Sequence, residues 1–143
     1  MADAKLPEIL FQHRVSYGET DAMGVLYYAE YLHIFERART AFTHILGLPY
    51  KEVEERGIYL PVREAQCRYR SPARYDDLLN VLCGIAGWRP ASFKFTYRVT
   101  READGVLIAE GLTSHALVNK AGKPVAVPDW FREVFAHLPG QEK

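Results

Sequence analysis

Residues 27–46, YYAEYLHIFERARTAFTHIL, decide the fold of this chain. Their apolar side chains recur at intervals of three and four residues, which is the spacing of one face of an α-helix. Gly47 follows as a left-handed stop signal, and Pro49 comes two residues later. The apolar stripe consists of Tyr28, Tyr31, Leu32, Phe35, Ala38, Phe42, Ile45 and Leu46. The sequence therefore predicts one long amphipathic helix of about five turns, and its apolar face must be covered.

Much of the remaining chain alternates with the period of β-strands. Strands are predicted over residues 9–17, 62–70, 78–88, 91–101 and 106–118, and a short helix from Asp129. The turns near Pro90 and at Asp104-Gly105 are too short for parallel crossovers, so the strands they join must pair antiparallel. We expect an α+β fold in which a curled antiparallel sheet wraps the long helix. The exposed edges of such a sheet favour a homo-oligomer.

Length, composition and charge narrow the class of protein. The chain has 143 residues, is 48% hydrophobic and carries a formal net charge of zero. These values predict a single domain over residues 1–143 and exclude a disordered or disulfide-scaffold protein. The balanced charge argues against bulk attraction to nucleic acid. Without a secretory signal or an apolar run of about 18 residues, we expect no membrane span and a cytoplasmic location. Cys67 and Cys83 are predicted to be small buried or half-buried thiols, with a structural disulfide or a catalytic thiol as the alternatives.

The turn Glu19-Thr20-Asp21-Ala22-Met23-Gly24 is the candidate for chemistry. It lies just before the long helix, whose first amides are unpaired and carry a partial positive charge that can hold an oxyanion. Asp21 can act beside them as a nucleophile or as a general base toward water. The residues alone leave an alternative open, in which Asp21 is only a cap.

Three blocks of this sequence resemble the 4-hydroxybenzoyl-CoA thioesterase-like family of hotdog-fold proteins. The resemblance is greatest to its branch of acyl-CoA thioesterases associated with the Tol-Pal system. The matching motifs are Thr20-Asp21-Ala22, Tyr27-Tyr28-Ala29, Phe35-Glu36-Arg37-Ala38-Arg39-Thr40, Tyr69-Arg70-Ser71-Pro72-Ala73-Arg74-Tyr75-Asp76-Asp77-Leu78, Gly111 to His115 and Asn119 to Pro124. The resemblance implies a hotdog fold, with a five-stranded antiparallel sheet around one helix. It also implies hydrolysis of an acyl-CoA thioester without a metal or organic cofactor.

The resemblance also implies roles for individual residues. The catalytic carboxylate falls on Asp21, and the backbone amide that polarises the thioester carbonyl falls on Tyr28. Whether the carboxylate attacks the carbonyl or activates water is left open. Many members of the Tol-Pal branch have His where this chain has Tyr28. The acyl group is expected in an apolar pocket near Tyr27, Tyr28, Tyr31 and residues 58–61, at a subunit interface.

Coenzyme A is polyanionic, so local cations must hold it on a chain of zero net charge. The candidates are Arg70, Arg74, Arg89 and Lys123. Trp88-Arg89 matches a basic residue after Trp that contacts CoA phosphates in the aryl-CoA branch. The expected partners are an acyl-CoA substrate, a second copy of the chain in a homodimer or homotetramer, and an acyl carrier protein as an alternative carrier of the acyl group.

Two other functions remain compatible with the sequence. A non-hydrolytic module could bind CoA or an acyl carrier protein with the same fold, in which case Asp21 only caps the turn. A hotdog dehydratase needs a His–carboxylate pair, and no His stands near Asp21 in the sequence. The identity of the acyl group is left open in every case.

Overall fold

The computed structural model describes residues 8–137, so the prediction of one domain over 1–143 extends beyond them. The elements in chain order are β1 (Glu8–Arg14), α1 (Glu30–Ile45), α2 (Tyr50–Glu55), β2 (Val62–Tyr69), β3 (Leu78–Arg89), β4 (Ser92–Arg101), β5 (Leu107–Ala116) and α3 (Asp129–Val134). Short 3-10 turns cover Tyr17–Glu19 and Phe135–His137. Within the described residues, no helix combines the length and the apolar character needed to cross a bilayer.

The five strands form a single antiparallel sheet in the order β1-β3-β4-β5-β2. The predicted antiparallel sheet around one long helix is therefore confirmed. Connections through Pro90 and Asp104-Gly105 are tight, and Gly105 adopts the left-handed conformation that this turn requires (φ 73°). The sheet has two edges, β1 and β2.

Helix α1 packs on one face of the sheet, where its Phe35 and Phe42 rings contact Tyr97 and Phe95 of β4. The Phe35 ring stacks on Tyr97 of β4, with ring centroids 4.2 Å apart and planes nearly parallel. On β5, Gly111 leaves the space that this ring needs, because a Cβ there would approach the Phe35 ring to 2.6 Å. The glycine thus lets the helix approach the sheet closely at the middle of the core.

Helix α1 differs from the prediction in its first residue and in which of its side chains are buried. It begins at Glu30 rather than at residue 27, because the Tyr27 N–H bonds to Glu19 O in the preceding loop. Its buried face contains Ile34, which the predicted stripe omitted, whereas Leu32 and Ile45 are 44% and 61% exposed. The helix packs mainly against β1 and β3 and, through its rings, against β4, whereas Leu32 and Ile45 stay accessible.

Other boundaries also shift. The first strand ends at Arg14, since Val15 N already bonds to Asp77 O and residues 16–19 form a capped turn. Tyr17, which ends the predicted strand over residues 9–17, is outside β1 and 79% exposed. Helix α2 was not predicted, because its six residues are too few for a periodic signal. The predicted short helix from Asp129 is confirmed.

Strand β2 is accessible on both faces. All its residues are exposed except Cys67, which is half-buried. Helix α1 contacts this strand only near its end, where Tyr69 meets Tyr31 and donates to the Tyr28 carbonyl, and within residues 8–137 no other strand pairs with its outer edge. Cys67 and the buried Cys83 form no disulfide, as predicted.

A directional chain of hydrogen bonds crosses the core between α1 and β5. His115 Nδ1 donates to Leu60 O (3.0 Å), so its Nε2 accepts from the Thr113 hydroxyl (2.8 Å). Thr113 Oγ1 then accepts from the Tyr97 hydroxyl (2.7 Å), which in turn accepts from Arg39 Nη1 (3.3 Å). Since a carbonyl oxygen can only accept and a guanidinium can only donate, every proton in the chain is assigned.

Burial lowers the pKa of His115 to about 4, the nearby charge of Arg39 adds to this, and the bond to Leu60 O opposes it. The unfolded chain therefore binds a proton at His115 that the folded chain does not bind between about pH 6.5 and 4. We predict that acidification through this range removes roughly 3 kcal/mol of folding stability through this residue.

Urea unfolding of the wild type and His115→Gln between pH 7 and 4 measures this effect. The wild type should lose more stability than the variant, and His44→Gln on the exposed surface of α1 should behave like the wild type. Parallel pH profiles for wild type and His115→Gln would contradict the assignment.

Candidate active site

The loop between β1 and α1 places Asp21 at the wall of a cavity of about 400 Å³. Asp21 Oδ1 accepts from the Met23 N–H (2.9 Å) and the Val25 N–H (3.4 Å). Its backbone N–H donates to Val25 O, and its backbone oxygen accepts from Gly24 N. Gly24 supplies the positive φ (79°) that closes this turn. The carboxylate oxygen Oδ2 has no hydrogen-bond partner among residues 8–137 and stays available.

The start of α1 presents backbone donors to this region. Tyr27 N bonds to Glu19 O and Glu30 N bonds to Tyr27 O, but the N–H groups of Tyr28 and Ala29 bond to no acceptor within the described chain. The Tyr28 carbonyl is held by the Tyr69 hydroxyl (3.0 Å) and by Tyr31 N. Tyr28 and Asp21 line the same cavity, so the predicted carboxylate and the predicted amide belong to neighbouring residues in space.

Aromatic side chains form much of the cavity wall. Tyr31 and Tyr69 meet edge to face with ring centroids 5.0 Å apart, and Tyr28 lies edge to face with Tyr69 at 6.4 Å. Burial first, and then the nearby Cys67, raise the pKa of Tyr31 and that of Tyr69 to about 12; Tyr69 adds to the shift of Tyr31, and Tyr28 adds to that of Tyr69. Both phenols are therefore neutral at physiological pH, and the charged groups that line this cavity are Asp21 and Arg70.

The predicted acyl-binding tyrosines occupy different positions. Tyr31 is buried and lines the cavity, whereas Tyr27 is 42% exposed and packs against Tyr28 at 4.8 Å between ring centroids. A hydrogen bond with the Tyr28 phenol raises the pKa of Tyr27, and the negative charge of Asp21 adds to this effect. Tyr27 is thus beside the cavity rather than in its wall.

The four predicted CoA-binding cations divide into two pairs. Arg70 lines the Asp21 cavity, where it pairs with Glu110 (Nη2 to Oε2, 2.8 Å). Arg74 lies beside the loop because its backbone pairs with that of Val25, and its side chain is exposed. Arg89 and Lys123 lie at the opposite end of the sheet, and the structure does not bring them to Asp21 within one protomer. The strand register fixes this separation, since Leu78 pairs with Arg14 at one end of β3 and Arg89 pairs with Ser92 at the other.

Sequence reasoning missed three residues of the site. Tyr69 donates to the Tyr28 carbonyl, and its place at the start of the motif Tyr69 to Leu78 in the family resemblance could have indicated it. Glu19 accepts from the Ser16 N–H (2.8 Å) and contacts His13 Nε2 (2.9 Å). Burial raises the pKa of Glu19, but these hydrogen bonds outweigh it, and the net pKa is lowered. No local motif connects His13 to Glu19.

Among the described residues, no group of three or more His, Cys, Asp or Glu side chains could hold a metal ion.

Comparison with known proteins agrees with this architecture. The family model described as the thioesterase-like superfamily matches residues 15–135. The acyl-CoA thioesterase YbgC of Haemophilus influenzae is 35% identical over 130 residues, which cover 90% of this chain and 94% of that protein. The acyl-CoA thioester hydrolase YbgC of Escherichia coli O6:H1 is 34% identical over 116 residues, 80% of this chain and 86% of that protein.

A solved structure extends the comparison to three dimensions. A mutant of 4-hydroxybenzoyl CoA thioesterase complexed with 4-hydroxybenzoyl CoA is 25% identical and superposes with a TM-score of 0.82. The match covers 90% of this chain and 99% of that one. The sheet order, the helix position and the length of the match all agree with the hotdog fold. The chain therefore belongs to the thioesterase-like superfamily.

Proposed function

We propose that this protein hydrolyses acyl-CoA thioesters to a free acid and CoA. The observation that carries the proposal is the meeting, at one cavity, of the Asp21 carboxylate and the Tyr28 residue whose amide has no partner within the described chain. In this proposal the thioester carbonyl oxygen accepts a hydrogen bond from the Tyr28 N–H, which stabilises the oxyanion as it forms. Loss of one such donor typically costs about 100- to 1,000-fold in rate.

Two routes for Asp21 remain open in this proposal. As a nucleophile, Oδ2 bonds to the carbonyl carbon, the C–S bond breaks with release of CoA thiolate, and water hydrolyses the resulting anhydride. As a general base, Asp21 accepts a proton from water while the water oxygen attacks, and the C–S bond then breaks. Both routes need Oδ2 to be free, and Oδ1 is the oxygen occupied by Met23 N and Val25 N.

The acyl group and the CoA would use different parts of the site. Tyr31 and Tyr69 provide an apolar, neutral wall for the acyl group, with Tyr27 near its entrance. Arg74, exposed beside the loop, forms no ion pair within the described chain and is placed to meet a phosphate. The comparisons leave the acyl group unspecified, since the relatives' names cover acyl-CoA in general and 4-hydroxybenzoyl CoA.

We also propose that the protein acts as a homo-oligomer paired through the β2 edge. Within the described part of the chain this strand has no neighbour on its outer side, and all its residues but Cys67 are exposed. In a two-fold antiparallel pair, the start of β2 in one copy lies beside the end of β2 in the other. That arrangement carries Arg89 and Lys123 of the partner subunit toward the Asp21 end of this protomer, which would unite both pairs of predicted cations. A homotetramer, an acyl carrier protein as substrate carrier and a cytoplasmic location stay predictions.

A second candidate is a module that binds CoA or an acyl carrier without hydrolysis. It is favoured by one observation, the two hydrogen bonds through which Asp21 Oδ1 caps its own turn. An aspartate that only caps would be replaceable by asparagine, since the amide oxygen accepts the same bonds. The two candidates therefore differ in what this substitution does.

Asp21→Asn should lower kcat by about 100- to 10,000-fold, because the cap is kept while the carboxylate that attacks or accepts a proton is lost. Release of the CoA thiol from a panel of aliphatic and aromatic acyl-CoAs measures the effect, with binding of CoA followed by calorimetry. Asp76→Asn, at an exposed site with φ 73° that asparagine tolerates, is the matched control and should be active. Equal rates for wild type and Asp21→Asn would remove Asp21 from the chemistry, and CoA binding without turnover would favour the second candidate.

Ala65→Lys should weaken self-association by about tenfold or more, since a two-fold pair would bring two ammonium groups together in the middle of β2. Sedimentation velocity over a concentration series measures the change. Leu10→Lys places the same charge on the other edge strand, β1, at a residue that is 48% exposed, and should leave the assembly intact. A monomeric wild type, or dissociation by Leu10→Lys alone, would refute pairing through β2.

A further inference from the structure

A buried histidine connects the loop that carries Asp21 to the body of α1. His13 lies on β1 and is 6% exposed. Its Nδ1 lies 2.8 Å from Arg37 Nη1 of α1, and its Nε2 lies 2.9 Å from Glu19 Oε1 of the loop. The Arg37 guanidinium is held in turn over the Phe11 ring, 5.3 Å from the ring centroid. The imidazole thus stands between a cation and an anion that do not touch each other.

The protons of this arrangement are fixed by its partners. A guanidinium can only donate, so His13 Nδ1 must be the acceptor and carries no hydrogen. The hydrogen of the neutral ring then resides on Nε2, which donates to the Glu19 carboxylate. A neutral imidazole with one donor and one acceptor satisfies both neighbours, and each bond involves a charged group, which makes it stronger than a neutral one.

Glu19 is the point where the two ends of the loop are joined. Its carboxylate also accepts from the Ser16 N–H, and its backbone oxygen accepts from the Tyr27 N–H. Asp21 follows Glu19 by two residues, and Tyr28 follows Tyr27 directly. A displacement of Glu19 would therefore change the distance between the Asp21 carboxylate and the Tyr28 amide.

We propose that His13 is a positioning residue for catalysis, which locks the Asp21 loop onto α1 through the bridge from Arg37 to Glu19. This inference rests on the proposed hydrolysis. His13 touches neither the cavity nor any predicted substrate-binding residue. Its effect is geometric, since a displacement of about 1 Å in a catalytic group can cost about 100-fold in rate.

Two amide substitutions at His13 test its hydrogen bond to Arg37 and its hydrogen bond to Glu19 separately. In His13→Asn, the side-chain oxygen takes the place of Nδ1 and accepts from Arg37, but nothing reaches Glu19. In His13→Gln, the longer amide takes the place of Nε2 and donates to Glu19. The bond to Glu19 is the one that holds the loop, so His13→Asn should lower kcat by about 10- to 100-fold with KM unchanged, and His13→Gln should retain kcat. His33→Asn, at an exposed position of α1, is the control for the substitution itself.

Amide hydrogen exchange provides a measurement that does not depend on activity. The Asp21, Gly24 and Tyr27 amides, each bonded within the loop, should exchange about tenfold faster in His13→Asn than in His13→Gln. Should His13→Asn fail to fold, Glu19→Ala removes the other end of the bridge and should show the same two changes.

Equal kcat in the two amide variants, a change confined to KM, or unchanged loop exchange would overturn the proposal. A wild type that hydrolyses no acyl-CoA would instead refute the proposed function, and loop exchange would still test the bridge.

Discussion

The contact of Phe35 with Gly111 and Tyr97 is the constraint from which the rest of the structure follows. A helix of sixteen residues can lie close against the sheet only where no side chain stands between the ring and the β5 backbone. This contact fixes how closely α1 approaches the sheet, and the bond from the Tyr27 N–H to Glu19 O sets where the helix begins. The loop from β1 is held beside the start of α1 by the segment that precedes β3, where Asp77 O accepts from Val15 N and Ala73 O accepts from Leu26 N.

The chemistry proposed for this site requires that hydrogen bonds to one oxygen of Asp21 hold the carboxylate in place while its other oxygen stays free to react. One oxygen of Asp21 closes the turn while the other has no partner among the described residues. The phenols of Tyr31 and Tyr69, which burial keeps neutral, add no competing charge beside it. A carboxylate next to unpaired amides and an apolar wall can act on a carbonyl group without a metal ion, because the backbone donors stabilise the developing oxyanion.

The periodic spacing of apolar residues was enough to predict those elements whose structure is determined by a local pattern. The stripe in residues 27–46 and the alternation from residue 91 to 101 each reflect one buried face, so the helix, the strands and their antiparallel pairing could be predicted. The family resemblance supplied the hotdog fold and the focus on Asp21 and Tyr28. Long-range contacts could not be predicted in this way. Nothing near His13 in the sequence reveals that Arg37 and Glu19 meet its two nitrogens.

The exposure of β2 shows the same limit, since its alternating pattern predicted a strand but not that all its residues except Cys67 would be exposed in the protomer. The sheet register also separates Arg89 and Lys123 from Asp21, although all three were predicted to serve one substrate. Under the proposed pairing of β2 edges, one feature accounts for both observations, because a second copy would cover the strand and supply the distant cations.

A crystal structure with an acyl-CoA ketone analogue, in which a methylene group replaces the thioester sulfur, tests the central claim most directly. The account predicts the ketone oxygen about 2.7 to 3.1 Å from the Tyr28 nitrogen, with Asp21 Oδ2 facing the carbonyl carbon. A ketone bound away from Tyr28, or an Asp21 carboxylate turned from the carbonyl with both oxygens engaged by the loop, would contradict it.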